Sequence, residues 1–206
     1  MMTLYALKPA FQNRLRPAVM RLARAGVTAN QVTLAAMAGS VAVGALAAAL
    51  AAPAAFLLIP LWLGLRMALN AADGMLAREC GQKSRLGAYL NEIGDVVSDA
   101  ALTLPFWFVP AIGPAPVAAA IALAMLAELA GVLGPAIGAS RRYDGPMGKS
   151  DRALAFGALA AWIGLGLPAG PWLAAFVWIV AALLLVTTVN RVRQGLSEAD
   201  ASGLPS

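Results

Sequence analysis

Between Arg24 and Arg66 the chain runs through 41 consecutive positions without a charged residue. One membrane crossing takes about 20 apolar residues, so this stretch is too long for a single span. It divides at Ala52-Pro53 into a first span of about Thr28 to Ala51 and a second from Pro53 toward Arg78, with Arg66 inside it. The pattern repeats downstream. After Asp99 only Glu128 is charged before Arg141, and Pro110-Ala111-Ile112-Gly113-Pro114-Ala115-Pro116 divides that stretch. Ala153 to Asn190 is again uncharged and breaks at Gly166-Leu167-Pro168-Ala169-Gly170-Pro171. Proline and glycine clusters of this kind mark turns. The spacing predicts an all-α polytopic membrane protein of six transmembrane helices.

The basic residues agree with that count. Lys8, Arg14, Arg16, Arg21 and Arg24 precede span one, and Arg78, Lys83 and Arg85 lie between spans two and three. Arg141, Arg142, Lys149 and Arg152 lie between spans four and five, and Arg191 and Arg193 follow span six. The opposite loops contain neither Lys nor Arg. Positively charged loops stay on the cytoplasmic side, so both termini and the two basic loops are expected there. Composition closes off other classes: 61% of residues are hydrophobic and 12% charged, against about 25% charged in soluble domains. With one cysteine, Cys80, there is no internal disulfide. The net charge of +5 comes without the basic runs or stacking aromatics of a nucleic-acid binder, so no nucleic-acid partner is expected. The lipid bilayer and phosphorylated substrates are the expected partners.

Residues 1–25 read as an interfacial amphipathic segment rather than a signal peptide, because five positive charges interrupt any apolar core. Leu4, Leu7, Phe11, Leu15, Val19 and Leu22 recur at helical spacing. Residues 26–195 form the six-helix domain, and 196–206 a short polar tail.

Ionisable groups inside a membrane cost about 2.5 to 3.5 kcal/mol each on insertion scales, and here they cluster. Asn70, Asp73, Gly74, Ala77 and Arg78 stand at the cytoplasmic end of span two, and Gly87, Asn91, Glu92, Asp95 and Asp99 at the start of span three. Asn70 and Asp73 are one turn apart, while Asn91, Asp95 and Asp99 follow i, i+4, i+8, so each set shares a helix face. An asparagine in a span often ties helices together, and an aspartate near a helix start often caps it. Five oxygen-bearing side chains in two in-phase rows go beyond both roles and fit a site for Mg²⁺, Mn²⁺ or Ca²⁺ and phosphate. There is no histidine, so zinc-type sites and histidine bases are excluded.

These residues resemble the signature of the CDP-alcohol phosphotransferases: Asp, two residues, Asp-Gly, two residues, Ala-Arg, eight residues, Gly, three residues, Asp, three residues, Asp. The chain has Asn70, Asp73-Gly74, Ala77-Arg78, Gly87, Asn91 and Asp95 at that spacing, with asparagine in place of the first and third aspartates. The resemblance implies a metal-dependent transferase of the cell inner membrane, active on the cytoplasmic side, that moves a phosphatidyl group from CDP-diacylglycerol to an alcohol acceptor and releases CMP. It implies Asn70, Asp73, Asn91 and Asp95 as ligands of Mg²⁺ or Mn²⁺, with Asp95 also the general base. Asp73, Gly74, Ala77, Arg78, Gly87 and Thr33 become the nucleotide site. With two carboxylates fewer, the chain is expected to hold one divalent cation tightly, and Glu92 and Asp99 stand close enough in sequence to be weighed as substitutes.

Acceptor choice falls to the second basic loop, where Arg141, Arg142, Lys149 and Arg152 suit a phosphorylated or otherwise anionic acceptor; ordinary cytoplasmic charge explains the same residues. Glu128 is expected to pair with Arg66 or Arg152, or to tie helices together. The resemblance, with small-residue helix faces, also implies a homodimer. Two other functions fit: a catalytically impaired relative that binds nucleotide-lipid or a partner protein, and a small transporter using Asp73 and Asp95. Polar residues crowded at one membrane face speak against the transporter, whose sites lie near the midplane.

Overall fold

A computed structural model describes residues 4–50 and 52–201, with side chains from residue 11 onward. Helix α1 (Leu4–Arg24) ends because Gly26 takes a left-handed conformation (φ +78°). Val27 N then donates to Leu22 O at 3.0 Å and Gly26 N to Ala23 O at 3.1 Å, satisfying carbonyls the helix leaves open. Helix α2 (Ala29–Leu50) starts two residues later on a reciprocal cap. Gln31 N donates to Thr28 Oγ1 and Thr28 N to Gln31 Oε1.

A 3₁₀ segment over Pro53–Leu57 leads into α3 (Leu58–Glu79). Helix α4 (Arg85–Thr103) is capped by Ser84, whose hydroxyl accepts from Gly87 N at 2.9 Å, and runs on into a 3₁₀ turn, Leu104–Phe108. The chain continues through α5 (Pro114–Leu133), α6 (Lys149–Gly164) and α7 (Trp172–Ala201). The described residues contain no strand. Residues 196–201 extend α7 where a polar tail was expected from Leu196 onward, and 202–206 lie outside the described residues.

Four stretches are long and apolar enough to cross a membrane: 29–50, 53–79, 114–137 and 172–201. Helix α4 falls outside that set because Asn91, Glu92, Asp95 and Asp99 interrupt its apolar sequence, and α6 because it has only 16 residues. The outer surface is apolar, with Leu61, Phe108 and Leu154 exposed, as for helices facing a non-aqueous medium. Inside, Phe106 packs against Phe56 and Phe156 at centroid distances of 5.3 and 5.5 Å.

Helix α2 packs between α3 and α4, and α5 packs along α7. The α2–α4 approach depends on Gly44: a Cβ there would stand 2.1 Å from the Ala101 carbonyl oxygen. Helix α1 lies against α3. Val19 is fully buried and, with Leu15, packs in a cluster that includes Val32, Met75 and Leu76. Arg16 grips Glu79 with two hydrogen bonds of 3.0 and 3.1 Å. At Leu15 and Val19, part of the apolar stripe expected at the interface is therefore a protein contact. The side chains of Leu4, Leu7 and Lys8 lie outside the described residues.

Candidate active site

The polar residues converge where α3 ends, α4 begins and α6 begins. Asp73 is buried in α3, and Thr33 of α2 donates to its Oδ2 at 2.9 Å. Asp73 is within electrostatic range of Asp95 and Lys149. Gly74 leaves its position to Arg78, because a Cβ there would sit 3.0 Å from the exposed guanidinium. Gly87 is required by the N-terminal end of α2: a Cβ would lie 2.8 Å from Asn30 Oδ1 and 3.0 Å from Ser84 Oγ. Ala77 packs beside the α1–α3 cluster, which lets α1 approach this end of the bundle.

Asp95 is held by cations. Lys149 donates to its Oδ1 at 2.5 Å and Arg66 to the same oxygen at 3.1 Å. Arg66 also donates to Asp99 Oδ1 at 2.6 Å, and Arg152 to Asp99 Oδ2 at 2.7 and 3.0 Å. Arg152 continues to Glu128 Oε1 at 2.8 Å, and Glu128 Oε2 lies 3.3 Å from Arg191 and 3.5 Å from Arg141. Arg141 then donates to Glu92 Oε2 at 2.7 Å. One ionic chain thus joins α3, α4, α5, α6, α7 and the loop before α6.

Of the four bases assigned to the acceptor, Arg141, Lys149 and Arg152 enter this chain. Arg142 turns away to pair with Asp144 at 2.8 and 3.0 Å and with Glu198. The Arg142 guanidinium beside Asp144 holds that carboxyl below the usual carboxylate range. Glu128 pairs with Arg152, as expected, and Arg66 serves Asp95 and Asp99 instead. Glu92 is bound to Arg141, and Asp99 to Arg66 and Arg152.

Arg66 and Arg191 were not singled out as site residues. Arg66 stands four residues before Asn70 on the same helix face, a signal available in the sequence. The partners of Arg191 depend on how α7 packs against α5, which no local pattern encodes. Gln82 also carries an unanticipated role: it accepts from Ala29 N at 2.7 Å, fixing the start of α2 near Gly87.

Among the described residues no three His, Cys, Asp or Glu side chains meet in a metal-binding arrangement. Two of the four expected ligands, Asn70 and Asn91, offer only neutral amide oxygens. Asp73 and Asp95 contribute two negative charges, which balance one Mg²⁺ or Mn²⁺ but not two. By formal charge this donor set suits one divalent ion rather than two.

Residues 26–190 match the family model described as CDP-alcohol phosphatidyltransferase. The chain is 49% identical over 199 residues to inner membrane protein YnbA of Escherichia coli (strain K12), an alignment covering 95% of this chain and 97% of that one. Among solved structures it resembles Mycobacterium tuberculosis phosphatidylinositol phosphate synthase (PgsA1) with CDP-DAG bound, with a TM-score of 0.71 at 22% identity over 88% of this chain and 92% of that one. The same enzyme in complex with manganese and citrate gives a TM-score of 0.70 at 22% identity, covering 88% of each chain. At that identity the structural likeness concerns the fold.

Proposed function

The chain belongs to the CDP-alcohol phosphatidyltransferase family, and we propose that it transfers a phosphatidyl group from CDP-diacylglycerol to an alcohol hydroxyl, in phospholipid synthesis. The carrying observation is that Thr33 binds Asp73 and Lys149 binds Asp95, with the two aspartates within electrostatic range of one another.

In this reading the acyl chains stay in lipid and the cytidine diphosphate lies over Gly74 and Gly87, where Arg78 meets its phosphates. Thr33 orients Asp73. Lys149 and Arg66 both bind Asp95 Oδ1, which leaves Oδ2 to take the proton from the acceptor hydroxyl. The freed oxygen attacks the phosphorus that carries diacylglycerol, a new P–O bond forms, the bond to the CMP oxygen breaks, and CMP leaves. Mg²⁺ or Mn²⁺ held by Asp73 and Asp95, with Asn70 and Asn91 beside them, would supply charge neutralisation at the diphosphate.

The proposal extends to membrane placement: an inner-membrane protein with α2 to α7 crossing, α1 at the cytoplasmic surface and the site facing the cytoplasm. Basic residues on one side of every crossing support this orientation. Cysteines placed in the 110–116 and 166–171 loops, in a background lacking Cys80, should react with an impermeant reagent from the far side alone. A homodimer through membrane helices belongs to the same proposal, and a strictly monomeric mass in nanodiscs would refute it.

Purified protein incubated with CDP-diacylglycerol and a panel of alcohols should release CMP, and a chelator should stop it. A second reading is favoured by the two amides at carboxylate positions: binding of nucleotide-lipid without turnover. CDP-diacylglycerol binding without CMP release from any alcohol would select it.

A further inference from the structure

The start of α6 is held by α7, and that hold sets where Lys149 can reach, an inference that rests on the transferase reading. Met147, two residues before Lys149, is buried in the core cluster that also contains Val180 and Leu184 of α7. Its N–H donates to Oγ1 of Thr187 at 2.9 Å. Thr187 is fully buried, and the same hydroxyl donates to the Leu183 carbonyl at 2.8 Å.

A threonine inside a helix commonly turns its hydroxyl back on the carbonyl four residues earlier, as Thr188 does with Leu184 at 2.9 Å. Thr187 does the same and also offers its oxygen to the loop before α6. That loop is shaped to come close. Gly145 has φ +120°, and a Cβ there would stand 2.6 Å from the Thr187 Cα and 2.7 Å from its Cγ2, so the loop backbone lies directly on α7 at this residue. A buried N–H without a partner is costly, which fixes Met147 where Thr187 stands.

From Met147 the connection to the site is two residues long. Gly148 N donates to Asp151 Oδ2 at 2.9 Å and Arg152 N to the Gly148 carbonyl at 3.0 Å, so the first turn of α6 is tied down from its first residue. Lys149 opens that turn with its ammonium 2.5 Å from Asp95 Oδ1, and Arg152 closes it on Asp99. Lysine is a point charge on a flexible stem, and this side chain is 36% exposed. Its contact with Asp95 therefore depends on where its backbone starts.

We propose that Thr187, with Gly145 seated against it, is a positioning residue for the transfer: by fixing Met147 it places Lys149 on Oδ1 of Asp95. It acts through Lys149 and not on the substrate.

The test reads Lys149 directly. The chain has three lysines, Lys8, Lys83 and Lys149, so acetylation of the purified protein by an N-hydroxysuccinimide ester, mapped by mass spectrometry, follows Lys149 against the exposed Lys83. Thr187→Val keeps the shape and removes the acceptor, while Gly145→Ala pushes the loop off the same contact. In both, Lys149 should react faster relative to Lys83 by about threefold or more, the worth of one hydrogen bond. CMP release should lose about tenfold or more in kcat, as a displaced contact at a reacting group does, with KM for CDP-diacylglycerol little changed. Thr187→Ser should restore both readouts most of the way, and Thr188→Val should match the wild type. Thermal melting establishes that the variants are folded. Unchanged Lys149 reactivity in folded Thr187→Val and Gly145→Ala, an equal effect in Thr188→Val, or a loss of kcat that Thr187→Ser shares in full overturns the proposal and leaves the transferase reading intact. If the wild type releases no CMP with any alcohol, the transferase reading falls and the catalytic role with it, whereas the labelling still decides whether Thr187 seats Lys149.

Discussion

Lys149, the first residue of α6, places its ammonium 2.5 Å from Oδ1 of Asp95 in the middle of α4. This contact spans 54 residues of sequence and ties the start of α6 to α4. One turn further along α4, Asp99 is bound by Arg66 and Arg152. The two aspartates are one turn apart and have different work, which separates the effects of their removal.

Asp95→Asn should lower transfer by about 10² to 10⁴-fold, the usual worth of a positioned general base, with a smaller loss of stability than Asp99→Asn because Arg66 is the only buried arginine it affects. Asp99→Asn should instead destabilise the protein by about 3 to 5 kcal/mol, because it leaves two buried arginines short of a partner. Initial rates and thermal melting in detergent, measured on both variants, distinguish the roles. Equal activity loss without a melting shift in Asp99→Asn would place Asp99 in the chemistry.

Asn70→Asp restores a carboxylate one turn from Asp73, and higher ligand charge raises cation affinity. Tighter Mn²⁺ binding in the substrate-free protein is the expected result, read by electron paramagnetic resonance, whatever happens to turnover. Unaltered Mn²⁺ affinity would show that position 70 does not face the ion.

Thr33→Val removes the hydroxyl that donates to Asp73 Oδ2 at 2.9 Å. Hydrogen bonds to charged groups contribute about 1.5 to 3 kcal/mol, so CDP-diacylglycerol should bind more weakly by roughly tenfold or more. Thr33→Ser should retain most of the affinity, and titration calorimetry compares the two.

Two glycines separate close packing from chain flexibility. Gly44→Ala forces a methyl against the Ala101 carbonyl and should cost about 1 to 3 kcal/mol, as overpacking usually does. Nothing lies within 4 Å of a Cβ at Gly64, so Gly64→Ala should be neutral or gain up to about 1 kcal/mol from helix propensity. Melting temperatures of the pair settle the point.

Asp144, held below its ordinary range by Arg142, stabilises the fold once the pH is above the carboxyl value of the unfolded chain, about 3.9. That contribution disappears as the pH falls through the depressed value of the folded protein. The difference in melting temperature between the wild type and Asp144→Asn should therefore be constant near neutrality and shrink on acidification. A difference that grew toward low pH would contradict the pairing.

The spacing Asn70, Asp73, Gly74, Gly87, Asn91, Asp95 points in the sequence alone to a candidate site at the junction of two helices, because helical periodicity fixes which residues share a face. The charge-free stretches likewise marked out the α2–α3, α4–α5 and α6–α7 segments, since a run without charge is a local property of composition. Partner choice was beyond that reach. Arg66 could be placed on the Asn70 face, but only the assembly of α3 and α4 about α2 shows it holding Asp95 and Asp99. Whether Lys149, Arg141 and Arg152 stand free for a ligand or meet carboxylates depends on α5, α6 and α7 coming together around Glu128. Coulomb energy follows distance in space, and residues 54 positions apart acquire a distance only when the helices pack.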